Sequence, residues 1–227
     1  MADRAPLFLH EVIDVTGRGS RAYMEHTVGF DAQGTTDRGL ALLGTWEVVG
    51  TTGRWPQVLN VWEIAGWDGW VRLGEATNVH KEDNAALAQW WDEAYKRRSG
   101  GFDRLLRGAP GCPTKADLLA ADTRGSWFVH ELSEVVPGAG PEYLAATMAE
   151  RVPAMAERGI TLVGLYDSVL MDTEVCTIWA TDVHSHTDLL RDGDPWPARA
   201  RTWCTRWREE LMTPGPRSPL GTQGPPA

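Results

Sequence analysis

A histidine and a glutamate stand side by side twice in this chain, as His10-Glu11 in FLHE and as His130-Glu131 in FVHE. Either residue type can act as a general base: histidine near its ordinary pKa, or glutamate when burial raises its pKa. Neighbours on a β-strand point to opposite faces, so only one member of each pair can enter a given cavity. Both pairs are therefore candidate catalytic residues, with a buried hydrogen-bonded pair preserved by duplication as the alternative.

Aromatic and polar residues on the predicted second and third strands are candidates for substrate binding. Their rings can sandwich a flat or apolar substrate, or they can simply fill the core. The predicted substrate-binding residues are Asn60, Trp62, Glu63, Tyr166 and Trp179. Asn60 and Glu63 are included because the equivalent positions later in the chain hold threonine and alanine, and function often settles in one copy of a duplicated unit.

Two further histidines, His184 and His186, are two residues apart. On an extended segment both rings would lie on one side, and together with His10 or His130 they could bind zinc, copper or iron. No acidic residue nearby is clearly a third ligand, so the sequence favours ordinary surface histidines and predicts no metal ligands. The chain also has no nucleophile elbow, phosphate loop or dinucleotide-binding glycine motif.

The elements that position these residues occur twice. Residues 8–47 align with residues 128–167 without a gap, and ten of these forty positions are identical, where chance gives about two or three. VLNVW (58–62) then aligns with VCTIW (175–179) after a shift of three residues. The two halves of the chain are therefore predicted to be copies of one unit.

Each copy has the pattern strand, helix, strand, strand, helix. Apolar runs rich in β-formers end at TGRG and PGAGP, and Arg38-Gly39 and Arg158-Gly159 are typical of helix ends. Helices are predicted over Ala85–Arg98 and Ala198–Leu211. An antiparallel sheet with helices on one face leaves its other face apolar, so the two sheets should pack together around a shared space. The fold class is α+β, with tandem ferredoxin-like repeats forming an intramolecular α/β barrel.

The predicted boundaries follow from composition. The first repeat spans 1–107, a Gly/Pro-rich linker 108–125, the second repeat 126–212, and a disordered Pro/Gly-rich tail 213–227. The net charge of −9 argues against nucleic acid as a partner, and no apolar run is long enough for a membrane span. Three cysteines without paired spacing, and no signal peptide, favour a reduced, cytoplasmic setting.

NVWEIAGWDGW, the two copies and the ending WREELMTPGPRSPL resemble NIPSNAP-type proteins of the dimeric α/β-barrel superfamily. The resemblance covers nearly the full chain and implies the fold more strongly than an activity. Members include monooxygenases, cyclases, isomerases, dehydratases and haem enzymes, some with a histidine ligand. Members often have Pro-Gly after the first strand, which Pro137-Gly138 matches and Gly17-Arg18 does not; aligning on this feature favours the glutamates as the residues that face the cavity.

Together these features predict a small-molecule enzyme that binds an apolar or aromatic metabolite between the two sheets. Twelve tryptophans and the His-Glu pairs support cyclisation, isomerisation, dehydration or cofactor-free oxygenation. No cofactor is expected, with haem or a transition metal as the alternative. A non-catalytic ligand-binding or assembly module is the other possibility. Edge strands make a homodimer plausible.

Overall fold

The structure, a computed structural model, describes residues 5–32, 38–80 and 83–222. The elements of the first half are β1 (Leu7–Val15), α1 (Ser20–Ala32), β2 (Leu40–Val48), β3 (Gln57–Ile64), α2 (Gly66–Gly74), α3 (Ala85–Tyr95) and β4 (Arg98–Gly108). After α4 (Lys115–Ala120), the second half forms β5 (Trp127–Val135), α5 (Gly140–Ala146), α6 (Val152–Ala156), β6 (Thr161–Ser168), β7 (Met171–Thr181), α7 (Val183–Asp192), α8 (Trp196–Ala200) and β8 (Cys204–Pro214). A π-helical turn follows α2 at Glu75–Val79, and another, Thr147–Arg151, joins α5 to α6.

The strands of the described chain close into one barrel in the order β1-β3-β2-β8-β5-β7-β6-β4. Each half contributes a four-stranded antiparallel sheet, β4-β1-β3-β2 or β8-β5-β7-β6. The halves join where β2 pairs with β8 and where β4 pairs with β6, both antiparallel. These two seams satisfy backbone groups that a lone sheet would expose at its edges. The predicted α+β fold with two ferredoxin-like repeats is confirmed.

Identical residues of the two halves adopt the same local structure. The hydroxyls of Thr27 and Thr147 each donate to the backbone carbonyl four residues earlier, at 3.0 and 2.8 Å. Gly39 and Gly159 both have a φ of +73°, a left-handed conformation that glycine adopts at little cost. The duplication seen in the sequence therefore extends to backbone conformation.

Side chains from both halves fill the barrel interior. The rings of Phe8 and Tyr166 meet edge to face with centroids 4.8 Å apart, and those of Trp46 and Phe128 lie 5.2 Å apart. All four side chains are fully buried. An eight-stranded barrel is just wide enough for side chains to fill it. The expected substrate chamber between the two sheets is therefore wrong, because the core occupies this space.

Two equivalent glycines accommodate the large rings of the interior. A Cβ on Gly44 would lie 2.1 Å from Cζ2 of Trp46, and one on Gly164 would lie 1.7 Å from the hydroxyl oxygen of Tyr166. Both distances are far below van der Waals contact, so any larger residue would displace the ring. This close approach explains why glycine occupies the position in both copies.

Each half ends in a fourth strand where the sequence suggested helix or linker. The helix predicted over Ala198–Leu211 ends at Ala200, and Cys204–Pro214 forms β8. The helix predicted over Ala85–Arg98 ends at Tyr95, and the next strand begins at Arg98. These last strands flank β1 and β5, whose backbone groups need partners on both sides. The predicted linker, 108–125, also contains a helix, α4.

The Pro/Gly-rich tail packs against the barrel over the residues that are described. The Gly215 N–H donates to the Thr45 carbonyl at 2.9 Å, and the Thr45 N–H donates to Ser218 Oγ at 3.0 Å. Leu220 is fully buried within the interior core. The prediction of disorder is therefore wrong for residues 213–222, while residues 223–227 lie outside the described part of the chain.

The helices and the strand edges relate to two predictions, the absence of a membrane span and the formation of a homodimer. Within the described ranges, no helix has the length and apolar character that a membrane span requires. Both outer strands of each half are paired across the seams, so the edge strands that suggested a homodimer are not free. A homodimer stays a prediction, and it would need another surface.

Candidate functional site

The predicted site residues lie in several separate regions of the barrel. One group points into the interior: His10, His130 and Tyr166. A second group lies beneath the helices of the first half: Glu11, Asn60 and Trp62. Glu131 and Trp179 lie beneath the helices of the second half, and Glu63 lies next to α4. The structure therefore does not unite them in one site.

The two histidines of the repeated motif meet at the centre of the barrel. His10 Nε2 lies 3.1 Å from His130 Nε2, and the rings stack with centroids 5.0 Å apart. They share the inward face of their strands with Phe8 and Phe128, two residues earlier. The histidines rather than the glutamates thus point inward, so the opposite orientation favoured by the Pro-Gly alignment is wrong.

Burial keeps both central imidazoles neutral at neutral pH. It lowers the pKa of His10 well below its ordinary value, and the neighbouring His130 and Arg104 lower it further. Burial also lowers the pKa of His130, although Glu210 acts in the opposite direction. Since both side chains are inaccessible to solvent, neither is positioned to take a proton from a bound substrate.

Glu11 is held in a fixed orientation on the outer face of the first sheet. Its Oε2 accepts hydrogen bonds from Trp62 Nε1 at 2.7 Å and from Asn60 Nδ2 at 3.1 Å. Its Oε1 accepts no hydrogen bond from the described residues and is not fully buried, and the residue is 9% exposed. Two donors therefore fix one oxygen, while the other stays available.

Three charged or polar side chains surround this carboxyl group. Asp103 on β4 is its cross-strand neighbour. Burial raises the pKa of Glu11, Asp103 raises it further, and the hydrogen bonds and Arg98 oppose the increase. Partial desolvation by its neighbours also raises the pKa of Asp103, although the residue is exposed at the surface and Arg98 acts to lower the pKa. Burial and the charge of Glu11 raise the pKa of Tyr23, which is thereby kept as a neutral hydroxyl. The group is thus a pair of neighbouring carboxyls that hold a proton more tightly than free carboxyls do.

The equivalent glutamate of the second half forms a buried ion pair. Arg151 Nη2 lies 2.5 Å from Glu131 Oε1 and 3.1 Å from Asp194 Oδ2. Its guanidinium carbon lies between 5.5 and 5.9 Å from the ring centroids of three tryptophans: Trp179, Trp196 and Trp207. Burial raises the pKa of Glu131 to about 7, while Arg151 acts to lower it. The other oxygen of Glu131 is buried, so this carboxyl offers no atom to a solvent-borne substrate.

The remaining predicted residues have local structural contacts. Glu63 Oε2 accepts a hydrogen bond from the Lys115 N–H at 2.5 Å, at the start of α4. His184 and His186 lie within α7, where Asp182 caps the helix, so one ring is exposed and the other buried. The extended arrangement that would put both rings on one side is therefore wrong. His186 Nε2 instead lies 3.5 Å from Glu209 Oε1.

Sequence reasoning missed several residues around the two glutamates, namely Tyr23, Arg98, Asp103 and Arg151. Asp103 and Arg98 lie on β4, a strand that the sequence did not predict because glycines such as those of SGGF are uncommon within strands. Tyr23 aligns with Tyr143 and is one of the ten identical positions, which gives no sign of a functional role. Arg151 could have been found from the alignment of the two halves, because the aligned residue Asp31 has the opposite charge. Such a reversal of charge indicates a contact that differs between the halves.

Two clefts lie outside the barrel interior. One, of about 820 Å³, is lined by apolar residues of α5, of the π-helical turn after it and of the loop after β4, including Leu144, Met148 and Cys112. Burial raises the pKa of the Cys112 thiol to about 12, so it is not an activated nucleophile. The other, of about 720 Å³, lies between α1 and α3 around Trp90 and Phe30. Neither cleft is lined by a predicted site residue.

Solved structures with the same fold include several proteins of similar length. A provisionally assigned monooxygenase from Lactobacillus acidophilus has 10% sequence identity and a TM-score of 0.65, covering 97% of this chain and 98% of its own. Another from Fusobacterium nucleatum has 11% identity and a TM-score of 0.62, covering 92% of each chain. An anthrone oxidase-like protein has 13% identity and a TM-score of 0.62, covering 94% of this chain and 92% of its own.

These likenesses show the fold, an α/β barrel of two ferredoxin-like halves, and at such identities they carry no residue roles over. No family model matches the chain. No curated protein matches it either. The resemblance to NIPSNAP-type proteins stays a prediction.

A histidine that ligates haem iron needs a ring nitrogen that faces a flat open space. His10 and His130 face each other within the filled barrel interior. His186 is buried and faces Glu209 beneath α7, where Trp179 and Trp196 belong to the packed core of the second half. His10, His130 and His186 as packed therefore do not fit haem.

Proposed function

We propose that the protein is an enzyme that moves a proton on a small apolar or aromatic metabolite, with Glu11 as the acid–base residue. The observation that carries the proposal is the asymmetric environment of this carboxyl group. Oε2 is fixed by Trp62 and Asn60, while Oε1 accepts no hydrogen bond from the described residues. A fixed carboxyl group with a raised pKa and one available oxygen has the properties of a general base.

The neighbouring groups supply the rest of the chemistry. Oε1 of Glu11 takes a proton from an acidic C–H or phenolic O–H bond of the substrate. Arg98, whose positive charge acts on Glu11, can stabilise the oxyanion that forms through this charge. Asp103, whose pKa is also raised, can return a proton to the product. These steps use only the protein's own groups.

The surroundings of Glu11 favour an apolar or aromatic substrate. Trp62 lies directly against the carboxyl group, and Tyr23 presents a buried ring and a neutral hydroxyl. Arg98 lies over the ring of Trp91 at 5.0 Å, which adds a flat surface beside the guanidinium. Aromatic walls with few polar groups are typical of sites for small apolar ligands.

Deprotonation of this kind starts cyclisation, isomerisation, dehydration and cofactor-free oxygenation. All four reactions pass through an enolate or phenolate, so the same base and the same cation serve each of them. The solved structures named as monooxygenases and as an anthrone oxidase-like protein agree with this class in fold alone. The substrate decides which reaction follows.

Hydrogen–deuterium exchange tests the proton transfer without knowledge of the final product. Small aromatic and 1,3-dicarbonyl compounds are incubated with the protein in D2O, and loss of the acidic C–H signal is followed by NMR. We expect catalysed exchange with at least one compound, and a decrease of about 10²-fold or more in Glu11→Gln. Glu47→Gln, which changes a carboxylate on the second strand, is the matched control and should keep the wild-type rate.

The alternative of a non-catalytic ligand-binding module predicts a different result. A compound would bind with measurable affinity, yet its exchange rate would equal that in buffer. Unchanged exchange in folded Glu11→Gln would likewise contradict the role assigned to this residue. Both outcomes can be read in the same experiment, since binding is measured by the shift of the ligand signals.

A further inference from the structure

The barrel interior contains a cluster of metal-binding side chains that the proton transfer does not use. His10 Nε2 and His130 Nε2 are 3.1 Å apart, and Cys176 Sγ lies within 4.8 Å of one nitrogen of each ring. The three side chains come from β1, β5 and β7 and are at most 1% exposed. We infer that these residues form a three-coordinate metal site that prefers Cu(I) and links the two halves of the barrel.

The distances are close to those of a metal-bound arrangement. Two imidazole nitrogens on one ion with bonds of about 2.0 Å lie roughly 3.3–3.5 Å apart. The observed 3.1 Å between His10 and His130 needs an opening of only a few tenths of an ångström. Cys176 must approach by at most about an ångström, because a sulfur ligand lies roughly 3.7 Å from a nitrogen ligand.

The number and type of the ligands favour a soft monovalent ion. Neutral imidazole is the form that binds metal, and both rings lie in the barrel interior without contact with water. When Cu(I) binds, the Cys176 thiol loses one proton to solvent, so the thiolate and the ion together are neutral. A structural zinc site needs four ligands in a tetrahedral arrangement, whereas the cluster found among the described residues supplies three. Thiolate ligands also favour soft ions such as Cu(I).

A carboxylate on β8 is placed to orient one of the ligands. Glu210 Oε2 lies 3.6 Å from Nδ1 of His130. A carboxylate at that nitrogen favours the tautomer with a proton on Nδ1, which leaves the Nε2 lone pair directed toward His10 and the metal. Glu210 is 5% exposed, so its charge acts within the barrel rather than through solvent.

The sulfur ligand occurs in only one of the two copies. Alignment of VLNVW with VCTIW places Leu59 opposite Cys176. The duplication therefore accounts for the pair of histidines but not for the thiol beside them. A leucine fills the same kind of position in the other half, so packing alone does not require sulfur there.

Metal content and stability test the site directly. The full chain is expressed in medium supplied with copper and zinc, so that metal is present while the barrel folds, and it is purified without oxygen. We expect about one copper ion per chain by elemental analysis, and a Tm that falls when the copper is removed by a Cu(I) chelator, because binding to the folded state alone stabilises it. Cys176→Ser should retain at least tenfold less copper.

Two further variants keep the result interpretable. Cys204→Ser changes a thiol outside the barrel interior and should retain the wild-type copper content. If Cys176→Ser does not fold, Cys176→Ala gives a second test without a polar group in the core. Copper absent from the wild-type protein, copper retained equally in Cys176→Ser, or zinc bound in place of copper would overturn the inference.

Discussion

Arg151 provides the sharpest test of how the second half differs from the first. Its guanidinium is 2% exposed and contacts Glu131 and Asp194, and replacement by methionine keeps most of the volume while removing the charge. Loss of one partner of a buried ion pair costs about 3–5 kcal/mol, because the other charge stays buried without compensation. For a chain of this size each kcal/mol lowers Tm by about 2–4 °C, so Arg151→Met should lower Tm by roughly 6–20 °C.

The size of the loss should depend on pH in a defined direction. Burial raises the pKa of Glu131 from 4.5 in the unfolded chain to about 7 in the folded protein. A carboxyl with a raised pKa binds its proton more tightly in the folded state, so its contribution to stability falls as pH rises through this range. At pH 5 the protonated carboxyl needs no cation, and Arg151→Met should be least destabilising. At pH 8 the carboxylate is ionised, and the loss should be largest.

Urea unfolding at pH 5 and pH 8 measures both the loss of stability and its dependence on pH. The proteins compared are the wild type, Arg151→Met and the double variant Glu131→Gln/Arg151→Met. The double variant removes the uncompensated carboxylate and should recover most of the stability lost at pH 8. A loss below about 1 kcal/mol in Arg151→Met at pH 8 would refute the reasoning, since that is the range of exposed ion pairs. Equal losses in the single and double variants would show that packing against the tryptophans, rather than charge, is what Arg151 contributes.

Two further predictions concern the barrel core. Gly164→Ala should destabilise the protein by about 1–3 kcal/mol in urea unfolding, because its Cβ would overlap the hydroxyl of Tyr166. Gly29→Ala in α1, where a Cβ meets no neighbour, is the control and should be neutral or stabilising; similar losses in both would argue against the steric explanation. Leu220→Ala should cost about 2–5 kcal/mol if the tail belongs to the core, and an unchanged midpoint would mean that the tail packs only loosely.

The local patterns of the sequence predicted the fold for identifiable reasons. Forty aligned positions with ten identities revealed the duplication, and strand and helix patterns gave most elements of each copy. The fourth strand of each half was missed because Arg98–Gly108 and Cys204–Pro214 are rich in glycine or charge. Their β-structure comes from pairing with β1 and β5, which is a non-local contact that composition does not encode.

The candidate site was predicted in its residue types and not in its geometry. The His-Glu pairs, Asn60 and Trp62 were named from the sequence, and the structure brings Asn60 and Trp62 to Glu11. The expected chamber between the sheets was wrong. Strand alternation requires that His10 and Glu11 point to opposite faces, but it does not say which face becomes the interior.

The sequence by itself determined that two copies of one unit exist and that each carries an acid–base pair on its first strand, because identity and periodicity are properties of the chain. Only the tertiary structure decided that the histidines meet at the centre while the glutamates lie beneath the helices. It also decided that one glutamate keeps an accessible oxygen and the other is neutralised by Arg151. Orientation and solvent access depend on which distant residues pack against a strand, and no short segment of the chain contains that information.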